Sequence, residues 1–215
     1  MNPPRLPAWF VAVALWLAVG SPAGAHRVDE YLQATRIAVG IERVDLEIDL
    51  TPGVSVASDV LGWIDANADG HVSQIEGEAY AREMLRSVAL SVDGRPAQIA
   101  LVETHIPEPS EMRLGTGTVQ VRATAKVPAQ WPGQHRVSYS NAHRPEGSVY
   151  LVNALVPADS RIHIADQHRD SAQHGLTLEY TVAADPKWRP LLFIGLAMAG
   201  ALGVSRMPRP KAFSA

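Results

Sequence analysis

The chain has 215 residues, 47% hydrophobic and 19% charged, with 19 basic and 22 acidic side chains and no Cys. These proportions exclude a disordered or collagen-like chain, and the missing Cys excludes both a disulfide framework and thiolate chemistry. Residues 26–186 carry 13 basic and 22 acidic residues while residues 187–215 carry five basic and none acidic, which disfavours nucleic acid and suits cations.

Taken in chain order, residues 1–25 read as a secretory signal peptide. Arg5 is followed by the apolar run Ala8 to Val19, then Gly20, Ser21, Pro22 and the small triplet Ala23-Gly24-Ala25, the parts of an exported leader with cleavage expected after Ala25. Residues 26–186 are then one domain's worth of chain. Leu32 to Val39 reads as a strand, paired across residues 40–43 with the segment in which Val44, Leu46, Ile48 and Leu50 alternate with Asp45, Glu47 and Asp49. That period of two gives one apolar face and one acidic face expected to meet water.

Helical spacing replaces the alternation at Val56, Val60, Leu61 and Ile64, with Ser55 or Ser58 as the expected cap, and again at Ile75, Tyr80, Met84 and Leu85. Strand runs resume at residues 88–92, 97–104, 119–127, 135–140, 148–156, 161–166 and 176–182. Asp93-Gly94-Arg95-Pro96, Pro132-Gly133 and Pro145-Glu146-Gly147 supply turn chemistry between them. The fold expected is mainly β: an antiparallel β-sandwich with a helix-loop-helix insert at residues 56–85, in which the nearly all-apolar run Val149 to Val156 is central. Leu191 to Val204 is an uncharged run flanked by Lys187, Trp188 and Arg189 before it and Arg206, Arg209 and Lys211 after it. It reads as one C-terminal transmembrane helix with a short basic cytoplasmic tail, so that residues 187–215 form a single-pass membrane anchor.

The gap between the two helical stretches is Asp65-Ala66-Asn67-Ala68-Asp69-Gly70-His71-Val72-Ser73-Gln74-Ile75-Glu76. This segment resembles the calcium loop of an EF-hand, with oxygen-bearing residues at loop positions 1, 3 and 5, Gly at 6, Ser at 9 and Glu at 12. The resemblance implies a Ca2+ site in which Asp65, Asn67 and Asp69 offer side-chain oxygens, His71 its backbone carbonyl, Ser73 a direct or water-mediated contact and Glu76 two oxygens. EF-hands usually occur in pairs, and the sequence has no second loop. With only three carboxylates, an affinity in the range of extracellular modules, about 10⁻⁴ to 10⁻³ M, is expected.

The β segments also resemble the periplasmic portions attached to bacterial membrane proteins of the nickel and cobalt transporter and hydrogenase or urease accessory type. That resemblance rests on His26-Arg27-Val28-Asp29-Glu30-Tyr31-Leu32, on Leu46-Glu47-Ile48-Asp49-Leu50-Thr51-Pro52-Gly53 and on the embedded loop. Those relatives continue into several membrane helices, whereas this sequence has room for one, so transport is not implied. A domain facing the periplasm from the bacterial inner membrane, beside a separate membrane protein, is.

Eight His residues raise a second reading, a nickel- or copper-binding accessory domain. After cleavage His26 becomes the amino terminus, where its amine and imidazole suit such ions. His163, His168 and His174 follow no standard ligand spacing and have no carboxylate partner at a diagnostic offset, and His135 and His143 are expected in turns. Enzyme signatures are absent: Gly53 to Ala57 fails the nucleophile-elbow pattern, and Gly115-Thr116-Gly117 lacks the third Gly of a dinucleotide loop. The expectation is therefore a non-enzymatic, membrane-anchored calcium-binding domain.

Overall fold

The computed structural model describes residues 29–185. The expected signal peptide, His26 and the apolar run 191–204 lie outside the described residues, and among those described no helix is long and apolar enough to cross a membrane.

The described residues form ten strands: β1 (Tyr31–Val39), β2 (Arg43–Pro52), β3 (Val88–Val92), β4 (Arg95–Pro96), β5 (Ile99–His105), β6 (Val119–Lys126), β7 (Gly133–Asn141), β8 (Ser148–Ala154), β9 (Ile162–Arg169) and β10 (Gly175–Val182). They build two five-stranded sheets, ordered β5-β6-β2-β1-β8 and β4-β3-β7-β10-β9. The inward residues of both sheets join one hydrophobic core. On β2 the alternation works as the sequence implies, with Val44, Leu46, Ile48 and Leu50 fully buried. Asp45, Glu47 and Asp49 face outward, where Arg36 of β1 bridges Glu47 and Asp49 at 3.0 Å each and Thr124 donates to Asp45 at 2.7 Å. Cross-strand pairing thus neutralises much of the acidic stripe.

The run expected to be central is instead an edge. β8 lies outermost in its sheet and runs parallel to β1, so the sandwich is not wholly antiparallel. A parallel partner needs a long connection, and the chain supplies one, since β1 and β8 are separated by six strands and the helices. Only Tyr150 and Val152 of this strand are buried. Its open edge is covered from the other sheet: Arg169 of β9 donates to the Val152 carbonyl at 2.6 Å and to Asn153, which blunts the edge against pairing with other chains.

Among the described residues three helices accompany the sheets: α1 (Ala57–Ile64) and α2 (Gln74–Arg86) between β2 and β3, and the short α3 (Pro109–Arg113) between β5 and β6. The sequence reading omits α3. Pro109 opens it, Met112 is its fully buried residue, and Gly115 at φ +70° turns the chain away after it. The Gly115-Thr116-Gly117 stretch serves this turn, since a Cβ on Gly117 would sit 2.7 Å from the Met112 nitrogen. The cap of α1 also differs from expectation: Val56 occupies the cap position with no side-chain hydrogen bond, and neither Ser55 nor Ser58 caps it.

The strand ends define two poles. At one, β2 runs into α1, α2 runs into β3, and β1 begins at Tyr31; this is the helical pole. At the other, β1 turns into β2 through residues 40–42, β6 runs into β7 through residues 127–132, and β10 ends at Val182, paired with Gly133 and Ile162. This is the exit pole. Ten residues of β2 at about 3.3 Å each separate the poles by roughly 30 Å.

Candidate functional site

At the helical pole α1 buries Ala57, Val60, Leu61 and Ile64, and α2 buries Gly77, Tyr80, Ala81, Met84 and Leu85. Each helix turns one stripe to the sandwich core and leaves the other in solvent, as amphipathic spacing requires. Gly77 is needed where α2 crosses Ile106, because a Cβ there would lie 2.4 Å from the Ile106 Cγ1. Between the helices the polar segment from Asp65 is folded back on itself by its own side chains.

Asp65 accepts backbone N–H groups from Asp69 at 3.2 Å and Gly70 at 2.9 Å. Asn67 Oδ1 accepts the Asp69 N–H at 2.9 Å, and Asp69 accepts the His71 N–H at 2.8 Å. Gly70 stands at φ +83°, a conformation that L side chains resist. Ser73 caps α2 by accepting the Glu76 N–H, while Glu76 Oε2 accepts the Ser73 N–H at 2.9 Å and its hydroxyl at 2.7 Å. The other carboxylate oxygen of Glu76 reaches across to the N–H groups of Ala66 at 3.1 Å and Asn67 at 3.3 Å. One side chain therefore ties the first residues of the loop to the first turn of α2. The Ser73 amide and hydroxyl, then the Asn67 and Ala66 amides, hold the Glu76 carboxyl below its ordinary range.

The six residues singled out in the sequence, Asp65, Asn67, Asp69, His71, Ser73 and Glu76, thus lie in one short loop, Asp65 and Glu76 half-buried and the other four exposed. Their available donors are oxygens: three carboxylates, an amide carbonyl, a hydroxyl and the His71 backbone carbonyl, a set that suits a hard cation. Among the described residues, no three His, Cys, Asp or Glu side chains are gathered closely enough to form a metal-holding group by themselves. The loop carboxylates are turned to backbone amides instead.

Beneath the two helices lies a buried polar network that the sequence reading missed. His143 lies in the turn expected for it, between β7 and β8, but is only 3% exposed. Its Nε2 is 3.0 Å from the Tyr80 hydroxyl of α2, which is 2.7 Å from the Tyr31 hydroxyl of β1. The His143 carbonyl accepts from Gln33 at 2.7 Å and Tyr150 at 2.8 Å, and its N–H donates to Asn141 at 2.9 Å. Burial, then the nearby Arg144 charge, push the imidazole down to about 4, so it is neutral at pH 7. Arg144 itself stacks on Trp63 of α1 at 4.2 Å. Both helices are therefore tied to the 142–147 loop, α1 through Trp63 and α2 through Tyr80.

The remaining His residues are dispersed. His163 and His168 are exposed on β9 at the edge of the second sheet. His174, expected to have no carboxylate partner, pairs with Asp170 at 2.9 Å, one helical turn's spacing away in sequence. His135 lies in β7 rather than a turn, between Asp93 at 2.8 Å and the Trp131 carbonyl at 2.7 Å.

No family model, no curated protein and no solved structure matches this chain.

Proposed function

We propose that the protein is a non-catalytic, extracytoplasmic calcium-binding domain, exported by residues 1–25 and held at the bacterial inner membrane by residues 191–204. The observation that carries the reading is the closure of the 65–76 loop by Glu76 between two helices packed on the core. Asp65, Asn67, Asp69, Ser73 and Glu76 would hold the ion with the His71 carbonyl, in the manner of an EF-hand. A bound Ca2+ supplies positive charge to a segment whose acidic residues Asp59, Asp65, Asp69, Glu76 and Glu78 are followed by no basic residue before Arg82, which is already paired with Glu78 at 3.1 Å. Binding relieves that repulsion and fixes α1 against α2, so the ion acts as a structural or low-affinity responsive element.

Thermal melting of the mature chain with calcium and with chelator tests this. At free calcium ten times Kd the folded state gains about 1.4 kcal/mol, a rise of roughly 3 to 5 °C for a domain of this size. Glu76→Gln removes the closing carboxylate's charge and is expected to lose most of that rise. Coincident melting curves for the unaltered chain in millimolar calcium and in chelator would refute the reading.

A further inference from the structure

The exit pole presents two exposed apolar side chains on loops that are held in place. Trp131 is 73% exposed and Val156 is 91% exposed. Each is bordered by proline, Trp131 by Pro132 and Val156 by Pro157, which limits how far the tip can rearrange. The Trp131 carbonyl accepts from His135, the Gln130 N–H donates to the Ile41 carbonyl at 3.2 Å, and the Tyr180 hydroxyl donates to the Gln130 side chain at 2.7 Å. Behind Val156, the Leu155 N–H is fixed to the Ile37 carbonyl at 2.8 Å. These two tips are therefore presented by the sandwich rather than tucked into it.

The same pole is where the chain leaves the second sheet. Val182 pairs with Gly133, two residues from Trp131, and the Ala183 N–H donates to the Arg161 carbonyl at 2.8 Å. Lys187 follows Asp185 by two residues, at most about 7 Å of chain, and Leu191 by six, at most about 20 Å. Charge divides the same way. The exit-pole segments 40–43, 93–95, 126–132, 155–161 and 183–185 hold four basic and four acidic residues. The helical-pole segments 29–30, 53–87, 106–118, 142–147 and 170–174 hold four basic and twelve acidic. An anionic lipid surface repels the second set and leaves the first indifferent.

We propose that the exit pole is a membrane-docking surface, with Trp131 and Val156 seated at the phospholipid headgroup level and the calcium loop held at the opposite pole, roughly 30 Å away. The proposal rests on the reading of residues 191–204 as a membrane anchor. An exposed Trp with an apolar body and one polar N–H suits that interfacial depth. Lying flat on the first sheet is disfavoured, because its outer face carries Asp45, Glu47, Asp49 and their Arg partners.

The chain has no Cys, so single labels test the arrangement directly. Trp131→Cys, Val156→Cys and, at the helical pole, Glu146→Cys are each introduced into the full chain, spin-labelled and reconstituted into vesicles of phosphatidylethanolamine and phosphatidylglycerol. Labels at 131 and 156 are expected to be several-fold less accessible to a water-soluble relaxant than the label at 146. If the chain floats with the vesicles but all three labels are equally accessible, or equally shielded, the docking surface is wrong and the anchor stands. If the chain does not float with the vesicles, the anchor reading fails and the docking surface falls with it.

Discussion

Tyr80→Phe removes one oxygen from the middle of a buried chain of three polar groups. The Tyr80 hydroxyl serves both the Tyr31 hydroxyl at 2.7 Å and His143 Nε2 at 3.0 Å, whichever way the protons point. All three residues are at most 3% exposed, so the change strands two buried polar atoms where water does not readily replace the lost partner. A stranded buried donor or acceptor costs about 1 to 3 kcal/mol. With partial relaxation the sum is roughly 2 to 4 kcal/mol, a fall of about 5 to 15 °C in melting temperature at this chain length. Tyr31→Phe removes only the terminal member and leaves the Tyr80–His143 bond intact, so about 1 kcal/mol is expected. The double variant Tyr31→Phe/Tyr80→Phe strands one atom rather than two, and falls short of additivity by about 1 kcal/mol. Urea unfolding monitored by circular dichroism measures all three, provided the m-value is unchanged. If Tyr80→Phe unfolds within about 0.5 kcal/mol of the unaltered protein, or if the two changes add, the network does not hold α2 to the sandwich.

Further expectations follow from the same geometry. His143 is held neutral with its folded value near 4 against 6.5 unfolded, so stability is complete above about pH 6.5 and falls as pH drops toward 4, by an order of 3 kcal/mol at the limit; His143→Leu lowers neutral stability but flattens that acid limb in pH-dependent melting. His135 has the opposite sign. Partial burial opposes its charge, but the Asp93 hydrogen bond, the Trp131 carbonyl and the Asp93 charge outweigh it and raise its value. Its contribution is therefore present below about pH 6.5 and lost as pH rises through the folded value, and Asp93→Asn removes this alkaline loss, readable by titrating the His135 ring protons by NMR. Gly77→Val drives two methyls into Ile106 and is expected to cost about 1 to 3 kcal/mol in chemical denaturation.

What the sequence discloses and what it conceals divide along the range of the contacts involved. The β2 alternation and the Asp93-Gly94 hairpin are local signals: each depends on residues within about a dozen positions, and the structure puts them where spacing implies. β1 shows the limit. Gln33 and Thr35 face the core while Leu32 and Arg36 face outward, reversing the polarity that a hydrophobic pattern predicts. The reversal is tolerable only because Asn141, Ser148 and the His143 carbonyl meet Gln33, and Tyr139 meets Thr35 at 2.8 Å. Those partners lie more than a hundred residues downstream, so no window on β1 contains the reason for it.

The same logic explains why the burial of His143 within its turn is hidden from the sequence and why the run Val149 to Val156 reads as central. His143 follows a strand and precedes Pro145 and Gly147, and its burial arises from Tyr80, which belongs to the helical insert. The apolar content of β8 suggested two buried faces, yet the strand has a sheet neighbour on one side alone, and Arg169 covers the other edge through side-chain bonds. A buried imidazole joined to α2 and a loop joined to α1 through Arg144 and Trp63 place the helical insert in mechanical continuity with the start of β1. Any ion that orders the 65–76 loop therefore acts on helices already coupled to the sandwich. Its effect is expected in the stability of the whole domain rather than in a locally mobile appendage.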